Sequence, residues 1–311
     1  MPSLLTHHWF ANQIISHFQA RFPFLHQHAS AVWLGAQGPD PFFFYGRAPF
    51  HSRAERTAIN QFGSTLHNDS LDKTLWKLIE TYHTQPDHAH LAAYVVGALT
   101  HYVLDSVVHP YVFYRSGFDQ DGQLTGRYGY DHARLEVAMD IALIDHYKLS
   151  NEVYQPKQTL RIPLAELEHI SQFYEQAYPQ TLKTDTFTLA VKDMKNSYKF
   201  LYHAGFFRRM LIYLVSGRYG LAKGLIHAKG QSKEWSSRVL NLDHSSWHHP
   251  VSKEVSNQSC LDLFEAATKK MDALIERIVS PSAFIEDAYL HHDYDGKPFG
   301  STLQHFQSYF L

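Results

Sequence analysis

The sequence predicts an all-α protein: a multi-helix bundle with a metal site between its helices, plus an additional C-terminal helical region. Three observations predict it. Apolar residues recur at helical spacing along most of the chain, whereas no stretch shows the strict alternation of a half-buried strand. Residues 91–110, LAAYVVGALTHYVLDSVVHP, read as a buried helix that carries two imidazoles and a carboxylate. Histidine is also abundant, 23 residues against 28 Lys and Arg together, and neutral imidazole is the commonest protein metal ligand.

Composition narrows the class. The chain has 311 residues, is 44% hydrophobic and 19% charged, and carries a formal charge of −2. Such a chain can bury a substantial core, and its charge gives no electrostatic case for a nucleic-acid partner. Cys260 is the only cysteine, which excludes an intrachain disulfide and a thiolate metal cluster. The stretch MPSLLTHHWFANQ lacks a basic region followed by an apolar run and a cleavage site. No run of about 18 uninterrupted apolar residues suggests a membrane span, and a cytoplasmic location is the simplest expectation.

In chain order, residues 4–20 have a helical period with Thr6 as a candidate N-cap. The stretch AVWLGAQGPDPFFFYG reads as a packed loop, with Asp40 held between Pro39 and Pro41. Residues 63–82 are expected to open with a turn and continue as an amphipathic helix, placing His67 just before or within its first turn. The buried helix over 91–110 follows, and then a Gly- and Asp-rich surface loop to about residue 129. A further helix is expected over 130–147. Beyond residue 155 the stretches 162–178, 187–216 and 261–278 have helical periods, while 228–258 reads as a long polar loop. The chain changes character from about residue 160, and it is read as a candidate catalytic core, 1–155, with a helical C-terminal extension, 156–311, packed on it.

Two stripes carry the chemistry. His101, Asp105 and His109 stand four residues apart, and so do His132, Glu136 and Asp140. Steps of four advance only about 40° beyond a full helical turn, so each set shares one face. A carboxylate among imidazoles in an apolar wall is costly unless something satisfies it. A divalent metal between two facing helices does so, and so does a hydrogen-bonded His–Asp–His core. The phosphate loop G-x-x-x-x-G-K-[ST], the dinucleotide fingerprint, H-E-x-x-H and G-x-S-x-G are all absent.

The segments T-H at 6–7, L-G-A-Q-G-P-D-P-F-F-F at 34–44, L-H-N at 66–68, H-Y-V-L-D-S-V-V-H-P-Y at 101–111 and H-A-R-L-E-V-A-M-D at 132–140 together resemble the zinc-dependent phospholipase C family. That family comprises bacterial all-α phosphodiesterases with a trinuclear zinc site, related to the fungal zinc single-strand nucleases. The resemblance spans about the first 150 residues, in the family's order. It implies one zinc held by Asp40, His67, His101 and Asp105. A second would share Asp105 and take His7, and a third would take His109, His132 and Glu136. In the secreted members the terminal amine of the mature chain is also a ligand. No leader of that kind is read here, so two or three zinc ions per chain are expected.

The resemblance implies a metal-dependent phosphodiesterase acting on a phospholipid or other phosphate ester, with Asp40 as both ligand and base. Phe42, Phe43, Phe44, Tyr45 and Tyr111 are candidates to receive a choline-like cation or an acyl glycerol, or else to be plain core. A nuclease-like phosphodiesterase and a non-enzymatic, metal-stabilised helical binding module are the alternatives.

Overall fold

Apolar periodicity resolves into 15 helices among the residues that the computed structural model describes, 4–47, 51–69, 74–116, 127–217, 220–227, 233–250 and 252–276. The fold is all-α. The first part of the chain forms α1 (Leu4–Phe18), α2 (Phe24–Gln27), α3 (Ala29–Gly35), α4 (Pro41–Phe44), α5 (Arg53–Asn68) and α6 (Leu75–His83). The long helices α7 (Ala89–Arg115) and α8 (Tyr128–Tyr147) follow. After them come α9 (Pro156–Thr159), α10 (Leu164–Ala177), α11 (Thr186–Leu201), α12 (Phe206–Val215), α13 (Leu221–Gly224) and α14 (Lys233–Val239). The strands β1 (Trp247–His248) and β2 (Val255–Ser256) pair antiparallel, and α15 (Cys260–Leu274) is the last described helix.

The centre of the molecule is α7. By length and composition it is apolar enough to cross a membrane, yet 94% of its most apolar 18-residue window is buried in the fold. Apolar residues cover most of its surface, and even its one polar stripe, His101, Asp105 and His109, is buried against neighbouring helices. Helix α7 approaches α3 closely where Gly35 meets Gly97. A Cβ on Gly97 would stand 2.3 Å from the Val32 carbonyl oxygen, and one on Gly35 would stand 2.1 Å from that of Tyr94. Only two glycines let these backbones touch.

Several local expectations change. The stretch 31–46, read as a packed loop, instead contains the end of α3 and all of α4, because its buried apolar residues fall at helical spacing on either side of a short turn. Thr6 lies inside α1 rather than capping it, because its hydroxyl bonds a distant carboxylate. The helix before the 70–73 stretch is α5, so His67 sits in its last turn instead of the first turn of the next helix. Helix α5 is capped by Ser52, whose hydroxyl accepts from the Glu55 amide at 3.1 Å. Pro110 does not end α7, which continues to Arg115; the proline removes one helical hydrogen bond where packing holds the helix on both sides. The 187–216 period divides at Gly205 into α11 and α12, and the polar 228–258 stretch contains α14 and the two short strands. The Gly-rich stretch 117–126 and the tail 277–311, whose sequence holds His291, His292, Asp293 and Asp295, lie outside the described residues.

Residues after 155 complete the walls around the first eight helices. Phe42 on α4 packs against Phe187 on α11, with ring centroids 5.5 Å apart, and against Tyr174 on α10 at 5.3 Å. The Gly46 amide donates to Asp193 at 2.9 Å, and the Tyr111 hydroxyl donates to the Val239 carbonyl at 3.0 Å. A capping box at Ser259 and Asp262 starts α15, which brings the Lys270 ammonium to 2.7 Å from the Ser106 hydroxyl. Burial lowers the Lys270 pKa to about 8.

Two outcomes follow from this packing. Gly97→Ala is expected to lower unfolding free energy by at least about 1–3 kcal/mol, the usual cost of overpacking; an unchanged urea midpoint would mean that α3 can shift to admit the methyl. Lys270 holds its proton less tightly folded than unfolded, so it weakens the fold below pH 8, and that cost fades as pH rises from about 8 to 10.5. Relative to Lys270→Met, the native chain should therefore gain stability over this window, by at most about 3 kcal/mol. Parallel pH–stability curves for the two proteins would remove Lys270 as the cause.

Candidate metal centre

Four segments converge on α7, which makes the fifth. His7 comes from the first turns of α1, Asp40 from the turn that starts α4, and His67 from the last turn of α5. His101, Asp105 and His109 come from α7, and His132 and Glu136 from α8. All eight are buried; the most exposed, His67 and His132, reach only 8%. The structure brings every one of them into a single connected cluster.

The cluster is a line of overlapping triads: Asp40–His67–His101, His7–His101–Asp105, His67–Asp105–His109 and His109–His132–Glu136. Within each triad the candidate ligand atoms lie within 4.8 Å of one another. Asp105 stands at the middle. Its Oδ1 is 3.1 Å from His7 Nε2 and 3.5 Å from His109 Nε2. Its Oδ2 is 3.1 Å from His101 Nε2 and 3.3 Å from His67 Nε2. Glu136 Oε1 is 3.3 Å from His109 Nε2 and 3.1 Å from His132 Nε2. All five imidazoles thus turn the same nitrogen towards carboxylate oxygen.

These separations suit a shared cation. Tetrahedral zinc with bonds of about 2.0–2.1 Å places neighbouring ligand atoms about 3.3 Å apart. Asp105 Oδ2 and Glu136 Oε2 are buried and make no hydrogen bond, a costly state for a carboxylate oxygen that a cation relieves. The orientation of His101 adds to this. Its Nδ1 donates to the Ala36 carbonyl at 3.0 Å, which directs Nε2 into the cluster, as an outer hydrogen bond does for metal-bound histidine. Gly38 makes room for that ring: its backbone is left-handed (φ +51°), and a Cβ there would meet His101 Cδ2 at 2.3 Å. Imidazole and carboxylate without thiolate is a donor set that zinc, iron and manganese accept. The buried His, Asp and Glu groups can hold a metal ion.

Electrostatics follow from the same geometry. Burial alone would raise the Asp105 carboxyl, but His101, His109 and His7 outweigh it and hold it well below the usual carboxylate range. Glu136 behaves alike: burial pushes it up, and His132 beside it brings it down below its ordinary value. His7 is lowered, first by burial and then by its neighbour His101, against which it stacks with ring centroids 4.3 Å apart.

Asp140 completes the α8 stripe but not the cluster. It accepts from the Leu5 amide at 3.1 Å, the Thr6 amide at 2.7 Å and the Thr6 hydroxyl at 2.8 Å, all at the start of α1. His227 Nε2 lies 3.1 Å from Oδ2, the same oxygen that accepts from Leu5. The carboxylate therefore fastens the positive end of α1, one residue before His7. His8 faces the opposite way, with Nδ1 2.8 Å from the Thr159 hydroxyl. Among the aromatics near the site, Phe42, Phe44, Tyr45 and Tyr111 are buried core; Phe43 faces His67, with ring centroids 6.5 Å apart.

No protein-family model, no curated protein and no solved structure matches the chain.

Asp140→Ala is expected to cost about 3–5 kcal/mol, the usual loss when a buried charge network loses one member. It should also reduce bound metal per chain, measured by elemental mass spectrometry. Full metal content at unchanged stability would show that α1 is held without Asp140.

Proposed function

We propose that the protein is a metal-dependent phosphodiesterase of the zinc-dependent phospholipase C type, acting on a phospholipid or a related phosphate ester. The observation that carries this reading is the line of four overlapping triads, two of which meet at Asp105, because adjacent ligand sets that share a carboxylate fit neighbouring ions that clamp a phosphate. Asp40, His67, His101 and Asp105 would hold one zinc. His7 and Asp105 would serve a second, and His109, His132 and Glu136 a third, giving two or three per chain. When bound, such ions neutralise phosphate oxygens and lower the pKa of a coordinated water towards about 7.

The remaining work falls to the chain itself. Asp40 takes the proton of the attacking water at a carboxylate oxygen. Its backbone is fixed by the Asp40 amide donating to the Gln37 carbonyl at 3.0 Å and by the Phe43 amide donating to the Asp40 carbonyl at 3.0 Å. Pro41 stiffens the first turn of α4 behind it. His101 is held by Ala36 and Gly38, so Asp40 and His101 approach the same point from fixed backbones. Phe43, beside His67, is the aromatic placed to meet a substrate's apolar or cationic part. The same ligands would serve a nucleotide phosphodiester, and the charge of −2 favours the lipid over the nucleic acid.

One observation favours a second reading, a metal-stabilised binding module without catalysis: every ligand candidate is at most 8% exposed, as in closed structural sites. The two readings separate in one assay. Untagged protein should hydrolyse bis-p-nitrophenyl phosphate and release the head group of phosphatidylcholine, and a chelator should abolish both. Asp40→Asn should lose at least about 100-fold in rate while keeping most of its metal. Near wild-type turnover in that variant would end the assignment of Asp40, and a metal-loaded fold inert to every phosphodiester would favour the module.

A further inference from the structure

A second group of histidines lies at the other end of α7. His88 precedes the helix as its N-cap and makes no side-chain capping bond; His90 is in the first turn; His169 comes from α10. Their candidate ligand nitrogens all fall within 4.8 Å of one another. His90 Nε2 is 2.8 Å from His169 Nδ1, and the ring centroids of His88 and His169 are 4.5 Å apart. His28, at the N-cap of α3, adds a fourth ring 6.1 Å from that of His90. Glu166, one turn before His169 on α10, brings Oε1 to 3.5 Å from His28 Nδ1, while its buried Oε2 makes no hydrogen bond.

We propose that His88, His90 and His169 form a separate binding site for one imidazole-seeking divalent transition metal, such as zinc, nickel or copper, with Glu166 and His28 behind it. The two ends of α7 cannot share an ion: eleven residues separate His90 from His101, about 16 Å along a helix axis. The donor chemistry differs too. The buried centre mixes carboxylates with imidazoles, whereas this site is three imidazoles with a carboxylate in the background, a set suited to zinc, copper and nickel.

His90 and His169 are held in the form that binds metal. Burial, followed by the neighbouring His169, His28 and His88, brings the His90 pKa down to about 4. Burial and then His88 also lower His169. The positive end of α7, whose first turn carries His90, acts in the same direction. The hydrogen bond between His90 and His169 is no obstacle. The ring that donates it moves its proton to its own second nitrogen, and both rings then present lone pairs with no proton released. The two nitrogens need only open from 2.8 Å to the about 3.3 Å of neighbouring ligands. Because His169 belongs to α10, an ion here ties the region after residue 155 to the first turn of the helix that carries the buried cluster.

The probe is nickel(II), titrated calorimetrically into untagged protein that retains its own metals. One nickel site per chain is expected. His88→Ala, at an exposed position, should weaken it at least about tenfold with an unchanged circular dichroism spectrum; the combined His90→Gln and His169→Gln variant should weaken it at least about 100-fold. Metal already bound at the buried centre, read by elemental mass spectrometry in the same samples, should not change. This site and the phosphodiesterase reading therefore fail separately. The proposal is overturned if the parent takes up no nickel, or if His88→Ala and the combined variant bind it as tightly as the parent, which would place the nickel at another histidine group such as His291 and His292.

Discussion

Everything around α7 is arranged to keep one carboxylate buried. Asp105 stands within 3.5 Å of four imidazole nitrogens brought by α1, α5 and α7. A buried carboxylate is tolerated only when positive charge or hydrogen-bond donors surround it. Here the surrounding groups come from distant parts of the chain. The neighbouring helices must therefore be placed to within an ångström, and much of the fold serves that placement.

Two contacts supply most of the precision. The glycine-to-glycine approach of α3 and α7 lets the turn after α3 reach His101, so that the Ala36 carbonyl and Gly38 fix its ring. Asp140 then anchors the start of α1 and with it the direction of His7. Neither contact involves a candidate ligand, yet each sets where one points. The aromatic wall from α10 and α11 acts at longer range by supporting α4 from behind, and through α4 the position of Asp40.

How much of this could be read from residues depended on distance along the chain. The steps His101–Asp105–His109 and His132–Glu136 share a helix face by geometry alone, so periodicity was enough to group them. Asp140 obeys the same spacing but faces α1, because periodicity names a face without saying which neighbour it meets. Gly35 looked like loop punctuation; its role needs Gly97 opposite, 62 positions later. Gly63 reads as a turn, but it lies inside α5, where a Cβ would meet that of Phe42 at 2.9 Å, so His67 belongs to the helix before residue 70 and not to the one after it. The His88–His90–His169 group left only a His-x-His trace, since its third member arrives through the docking of α10. The helical class was legible throughout, because apolar spacing is a local property.

The spread of the buried cluster also sets an order of assembly. His101 with Asp105, and His132 with Glu136, are each pairs on a single helical turn, so either helix can grip an ion as soon as it forms. His7 and Glu136 are 129 positions apart, and bringing such ends together carries a loop-closure cost that local pairs avoid. An ion captured during synthesis would thus begin with two ligands from one helix and gain the others as α1 and α5 dock. The full set of eight candidate ligands therefore exists only in a chain whose five segments are all in register.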